Sequence, residues 1–333
     1  MANSRDSKRK NIRILSIDGG GIRGIVPAGV LAEIERRTAK PVSTLFDLLA
    51  GTSTGGILAL AMARPKAGSN EAAHSAGDMV EFYEQLGPAI FGKPLLQVLG
   101  SGDGLIRSKY SDGPIEDALQ NFFGNTQLSD ALIPVFVPSY ELSQQTPFFF
   151  PSARAKQDPT FDYPMRTVAR STSAAPTYFP PERISMPGTN QNYVMIDGGV
   201  FANNPTACAM VEARVQFPKA VDFTVVSLGT GALKEPPVMT MPENWGLAQW
   251  ARPLLNTVLD GVNSTVDYQM SQLLGAREDG TERYYRLQPA LTSSSQTLDN
   301  AEPETLKELR AITAALVEQR NADIDRLCEQ LVS

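Results

Sequence analysis

Gly51-Thr52-Ser53-Thr54-Gly55 is a G-x-S-x-G, and its flanks give the pattern chemical meaning. Residues 45–50 are short and mostly apolar, as a strand buried on both faces is. Residues 57–63 are good helix formers up to the stop at Pro65. Strand, tight turn and helix together put Ser53 on a nucleophile elbow, a turn that exposes a serine hydroxyl for attack on an ester. Gly51 and Gly55 leave room for the strained turn, because a Cβ at either place would strike the neighbouring element. The helix start beyond Ser53 turns backbone N–H groups and a positive dipole end toward charge forming at its Oγ.

Two further stretches carry chemistry. Residues 11–17 read as a strand, followed by Asp18-Gly19-Gly20-Gly21-Ile22-Arg23-Gly24 and a helix beginning near Val26, with Pro27 in its first turn. Gly19, Gly20 and Gly21 present unhindered N–H groups that can form an anion-binding nest. For acyl transfer that nest is an oxyanion hole, with Arg23 orienting the loop. Gly19, Gly21 and Gly24 also satisfy a dinucleotide fingerprint, which wants an acidic residue at the end of the next strand. Asp47 is near that distance but sits inside the apolar strand leading to Ser53, so a hydrolytic loop fits better. Asp197-Gly198-Gly199 ends another short strand at 192–196. It reads as an ordinary turn or as a carboxylate aimed into a shared site.

Taken in order, these three pieces resemble the patatin-like phospholipase family. Three more stretches are similar to it: Ser171-Thr172-Ser173-Ala174-Ala175-Pro176-Thr177-Tyr178-Phe179, Ser227-Leu228-Gly229-Thr230-Gly231 and Ser264-Thr265-Val266-Asp267-Tyr268-Gln269. The resemblance spans about 11–290. It implies a three-layer α/β/α sandwich with a mostly parallel central sheet. It also implies a lipid acyl hydrolase of phospholipase A or lysophospholipase type, acting on phospholipids or related acyl esters, and a site near 171–179.

The histidine count sharpens this reading. A serine needs a base, usually histidine, and in α/β-hydrolases the order is Ser, then Asp or Glu, then His. The chain has a single histidine, His74, in a polar segment upstream of Asp197. A Ser53–Asp197 dyad remains, and the family resemblance implies the same pair. Asp197 would take the Ser53 proton directly, Gly19 to Gly21 would hold the oxyanion, and Gly51, Gly55, Gly198 and Gly199 would support the site. Such a dyad needs no metal or other cofactor, and the carboxylates show no metal-loop spacing.

Composition bounds the rest. Hydrophobic content of 42% and charged content of 20% are globular values, and 333 residues can bury a large core. A formal charge of −6 argues against nucleic acid as a partner. Cys208 and Cys328 make neither a disulfide framework nor a metal site. The basic residues 1–10 read as a solvated tail without the apolar core of a secretory signal, ahead of a single catalytic domain over 11–333. No apolar run approaches the roughly 20 residues that span a bilayer, so a cytoplasmic protein with at most peripheral membrane contact is expected.

The remaining stretches are read for structure. Residues 65–77 are expected as an exposed loop, and 87–113 as a packed surface loop or a lid. Phe148, Phe149 and Phe150 are expected in a strand as core packing rather than an acyl pocket. Trp245 and Trp250 fit a helix–helix contact or an interfacial one, and residues 303–331 one amphipathic helix with Leu306, Leu309, Leu316, Ile324, Leu327 and Leu331 on its stripe. Two other functions stay open: an effector esterase switched on by a bound nucleotide or other signal, and a low-turnover storage or binding protein.

Overall fold

The computed structural model describes residues 11–92, 108–233, 247–292 and 295–333, with backbone alone for 247–253 and 255. The tail at 1–10, the centre of the lid stretch, Trp245 and the side chain of Trp250 lie outside the described residues.

One sheet runs through the chain. Its strands are β1 (Asn11–Ile17), β2 (Leu48–Gly51), β3 (Val135–Glu141), β4 (Thr146–Pro151), β5 (Glu182–Ser185), β6 (Asn192–Asp197), β7 (Asp222–Leu228) and β8 (Tyr284–Leu287). The spatial order is β5-β6-β3-β2-β1-β7-β8, with β4 also pairing β3. From β3 through β8 every neighbour on that path is parallel, while β4, β5 and β6 pair antiparallel at one end. The short edge strands β5 and β8 carry little periodic signal and are absent from the sequence reading.

Strand alternation explains the layers. Side chains along a strand point to opposite faces in turn. Ile12 and Ile14 of β1, with Leu48 and Ala50 of β2, join one core cluster; Leu15, Ile17 and Leu49 join the other. The first face is covered by α6 (Thr206–Gln216) and α7 (Leu247–Leu273), through Ala209, Met210, Ala213, Met270 and Leu274. The second is covered by α1 (Ile25–Thr38), α2 (Thr54–Ala63), α3 (Ala76–Phe91), α4 (Gly113–Phe123), α5 (Met165–Thr172), α8 (Pro303–Gln319) and α9 (Asn321–Val332). Helices on both faces of a mostly parallel sheet make the expected three-layer α/β/α sandwich.

The C-terminal stripe forms two helices rather than one. Arg320 leaves helical geometry (φ −105°, ψ 20°) and its guanidinium donates to the Arg286 carbonyl at 3.0 Å. The break lets α8 and α9 both pack on α1, where one straight rod of that length would run off the core. Phe150 is buried, and Phe148 packs on Phe150, Phe161 and Tyr193, so the aromatic triplet is core packing.

Candidate active site

The sheet's irregularity brings Ser53 and Asp197 together. β4 pairs β3 from Phe136 to Glu141 along one edge. The other edge is shared: β2 holds Val135 and Phe136, and β6 holds Ser139 to Glu141 in the opposite direction. The C-terminal ends of β2 and β6 therefore meet head to head near Pro138, a residue with no N–H to offer either strand. Ser53 lies two residues past the end of β2, and Asp197 is the last residue of β6.

Ser53 has φ 55° and ψ −124°, a conformation a non-glycine residue holds only when its surroundings impose it. Those surroundings are specific. The Ser53 N–H donates to Thr172 Oγ1 at 3.0 Å, its carbonyl accepts from Ile57 N–H at 3.0 Å, and Gly55 N–H donates to the Thr52 carbonyl at 2.8 Å. Thr52 Oγ1 donates to the Ala202 carbonyl at 2.6 Å. A Cβ on Gly51 would sit 2.0 Å from the Gly55 carbonyl oxygen, and one on Gly55 would sit 2.2 Å from that of Ile17. A side chain at either glycine would run into backbone.

Asp197 is buried, with 5% of its surface exposed. Burial pushes its carboxyl up to about 7, against the opposing effect of hydrogen bonds from the Gly199 N–H and the Ser53 side chain. The Gly199 N–H reaches Asp197 Oδ1 at 2.7 Å. A Cβ on Gly198 would lie 2.5 Å from the Pro138 carbonyl oxygen, so that glycine lets β6 close on β3.

The glycine loop crosses above this pair. Gly19 N–H donates to the Asn203 carbonyl at 2.9 Å, so its N–H is occupied; Gly20 and Gly21 have no such backbone acceptor among the described residues. Gly21 adopts φ 57°, and a Cβ there would lie 2.0 Å from the Leu298 carbonyl oxygen. Arg23 donates through Nε to the Gly20 carbonyl at 3.3 Å, which fixes the Gly20–Gly21 peptide and turns its N–H the opposite way. Burial lowers Arg23 to about 10, still protonated at neutral pH. Beneath the loop, Asp18 is fully buried and bound bidentately by Arg286 at 3.0 and 2.6 Å. Burial raises the Asp18 carboxyl, and the Arg286 charge opposes that.

Ser53, Asp197, Gly20, Gly21 and Gly199 line one pocket, about 900 Å³ including its open mouth. Its walls are apolar, with Ile22, Phe82, Ile90, Ile115, Leu119 and Phe179 among them. Gly87, Ile90 and Phe91 bring the start of the lid stretch into this wall, and Ser173, Ala175, Pro176 and Tyr178 bring in the Ser/Ala/Pro segment. His74 is elsewhere: its Nε2 lies 2.9 Å from Arg64 and its ring stacks on Phe122 at 4.2 Å. It is half-buried rather than exposed, and burial lowers its pKa. Among the described residues no group of three or more His, Cys, Asp or Glu side chains is placed to hold a metal.

A family model described as "Patatin-like phospholipase" matches residues 15–210, which include Ser53, Asp197 and the glycine loop. "Patatin-like protein 3" of Arabidopsis thaliana is 32% identical over 93% of this chain and 81% of its own. The chain belongs to the patatin-like phospholipase family. A second family relative, from Solanum tuberosum, bears the name "Probable inactive patatin-3-Kuras 1" and is 31% identical over 87% of this chain and 82% of its own. The solved structure of VipD from Legionella pneumophila is similar at a TM-score of 0.40 and 11% identity, covering 93% of this chain and 67% of that one. Membership carries lipid acyl hydrolysis at the level of the family.

Four site residues escaped the sequence reading as individuals: Thr172, Asn203, Thr230 and Arg286. Thr172 and Thr230 lie in stretches noted for their resemblance alone, where nothing in the spacing shows a role. Thr230 Oγ1 donates to the Gly19 carbonyl at 2.7 Å. Asn203 follows Asp197 by six residues, just past the single helical turn Gly199–Ala202, and nothing in that spacing marks it. Arg286 has none, since its partner lies 268 positions away.

Proposed function

We propose that this chain hydrolyses carboxylic esters of phospholipids or lysophospholipids through an acyl-Ser53 intermediate, with Asp197 as the base. Residues 11–333 act as one catalytic unit behind a short tail. The observation that carries the reading is a serine held at positive φ beside a buried carboxyl near pH 7, both at the end of an apolar pocket. A base works best when its pKa lies near the operating pH, and a free aspartate near 3.9 is far too weak.

As Ser53 Oγ attacks the ester carbonyl, its proton moves to Asp197, and the alcohol leaves with that proton. The Gly20 and Gly21 N–H groups receive the oxyanion, each donor worth about 3 kcal/mol in comparable sites. The apolar wall accepts the acyl chain, burying roughly 0.8 kcal/mol per methylene. Among the described residues no helix is long and apolar enough to cross a membrane.

The test is a fluorophosphonate probe on the purified protein, with the adduct located by peptide mass and fatty-acid release from phosphatidylcholine vesicles measured in parallel. Labelling at Ser53 and release, both lost in Ser53→Ala, are expected. A folded protein that neither labels nor releases fatty acid would place it with the low-turnover relatives instead.

A further inference from the structure

We propose that Asn203, together with Asp197, holds the water that hydrolyses the acyl enzyme, over the bare Cα of Gly199. This rests on the acyl-Ser53 reading and deepens it.

Asn203 is 4% exposed and lines the pocket. Its amide orientation is fixed, because Nδ2 donates to Asn263 Oδ1 at 2.9 Å and to the Gly19 carbonyl at 3.5 Å. Oδ1 is then turned the other way, and no donor reaches it among the described residues. The side chain lines the pocket, so with no protein donor its Oδ1 is left to accept from water there.

Glycine contacts show where that water lies. A Cβ built on Gly199 would be 3.0 Å from Asn203 Oδ1, from Asp197 Oδ1 and from Leu259 Cδ2, which closes the apolar side. The two oxygens thus converge above one Cα that carries no side chain. A Cβ built on Gly19 would be 2.3 Å from the same Asn203 Oδ1 and 3.3 Å from Ser53 Cβ, which places that oxygen on the nucleophile's side. A water held there has two protons for two acceptors, leaving a lone pair free for attack. An amide suits this place better than a carboxylate, whose charge would raise Asp197 further and weaken its ionised form.

The step balances without any other reactant. Water oxygen bonds to the acyl carbon as its proton passes to Asp197. The tetrahedral intermediate expels Ser53 Oγ, which recovers that proton, and the fatty acid departs.

Asn203 also supports the loop, since its carbonyl accepts from Gly19. The experiment must therefore separate positioning of water from support of the loop. Burst and steady-state release of p-nitrophenol from a medium-chain p-nitrophenyl ester would be followed for wild type, Asn203→Leu and Gly199→Ala. Fluorophosphonate labelling, acyl-Ser53 mass and thermal melting accompany each. Gly199→Ala keeps the Asn203 amide and sets a methyl against both oxygens, which crowds the water between them, so it carries the test if Asn203→Leu does not fold. Expected are a retained burst near one equivalent, turnover reduced tenfold or more, and accumulated acyl-Ser53. Burst rate and turnover falling together, or turnover unchanged in a folded variant, would overturn the proposal. Absence of any Ser53 adduct in wild type would instead overturn the underlying reading.

Discussion

Thr172 Oγ1 accepts the Ser53 N–H at 3.0 Å and donates to the Pro138 carbonyl at 2.6 Å. One hydroxyl thereby ties the strained serine to the point on β3 where the ends of β2 and β6 meet. Because Ser139 pairs directly with Asp197, Ser53 and Asp197 are referenced to the same strand.

Removing that hydroxyl should be felt at the serine. Thr172→Val keeps the volume but leaves the Ser53 N–H without its acceptor, an omission that costs about 1–3 kcal/mol when the group is buried. The expected result is a melting temperature lowered accordingly and a larger fall in kcat than in KM, with Thr172→Ser close to wild type. Unchanged kcat in the valine variant would show that the elbow holds without Thr172.

The readable part of this architecture is the local part. The apolar run into Ser53, the helix beyond it and the glycines at 51 and 55 obey neighbour rules, and sequence periodicity reports those. The resemblance supplied the Ser/Ala/Pro segment, which brings Thr172 and Tyr178 to the site. What stayed hidden depends on which strand edges are shared, as at Pro138, or on partners far apart in sequence, as for Arg286. The bend at Arg320 is of the same kind: an unbroken apolar stripe reads as one helix, and only the curvature of the core against α1 divides it. The Gly19 N–H was expected in the oxyanion hole; it donates instead to the Asn203 carbonyl, and the proposed hole keeps Gly20 and Gly21.

The Asp18–Arg286 pair is fully buried at the carboxylate and held by two hydrogen bonds. Arg286→Met strands a charge beneath the glycine loop, and breaking such a pair from one side costs about 3–5 kcal/mol. Urea unfolding should show that loss, with much of it recovered in Asp18→Asn/Arg286→Met. A single variant as stable as wild type would mean that Asp18 is already protonated in the fold.

The pH dependence of catalysis follows from Asp197. Burial holds its carboxyl at about 7, and in the proposed mechanism only the ionised form accepts the Ser53 proton. Hydrolysis of a soluble ester should then rise about tenfold per pH unit below that value and level off above it in kcat/KM, which reports the free enzyme. A profile already flat at pH 5 would show that Asp197 titrates like an ordinary aspartate and is not the buried base.

The same group ties activity to a stability cost, and Asp197→Asn should separate the two. In the folded protein the carboxyl binds its proton up to about pH 7, whereas an unfolded chain releases it near the ordinary value of 3.8. Between those limits the native state holds more protons than the unfolded state, so stability falls as pH rises through that window and stays lower above it. About three pK units correspond to at most about 4 kcal/mol. An asparagine keeps an oxygen for the Gly199 N–H and carries no charge to bury. The variant should therefore match wild type at pH 4, exceed it in melting temperature at pH 8, and lose roughly 10²–10⁴ in kcat. A wild type that is equally stable at both pH values, or a variant that melts lower at pH 8, would show that the Asp197 charge is not held against its own desolvation.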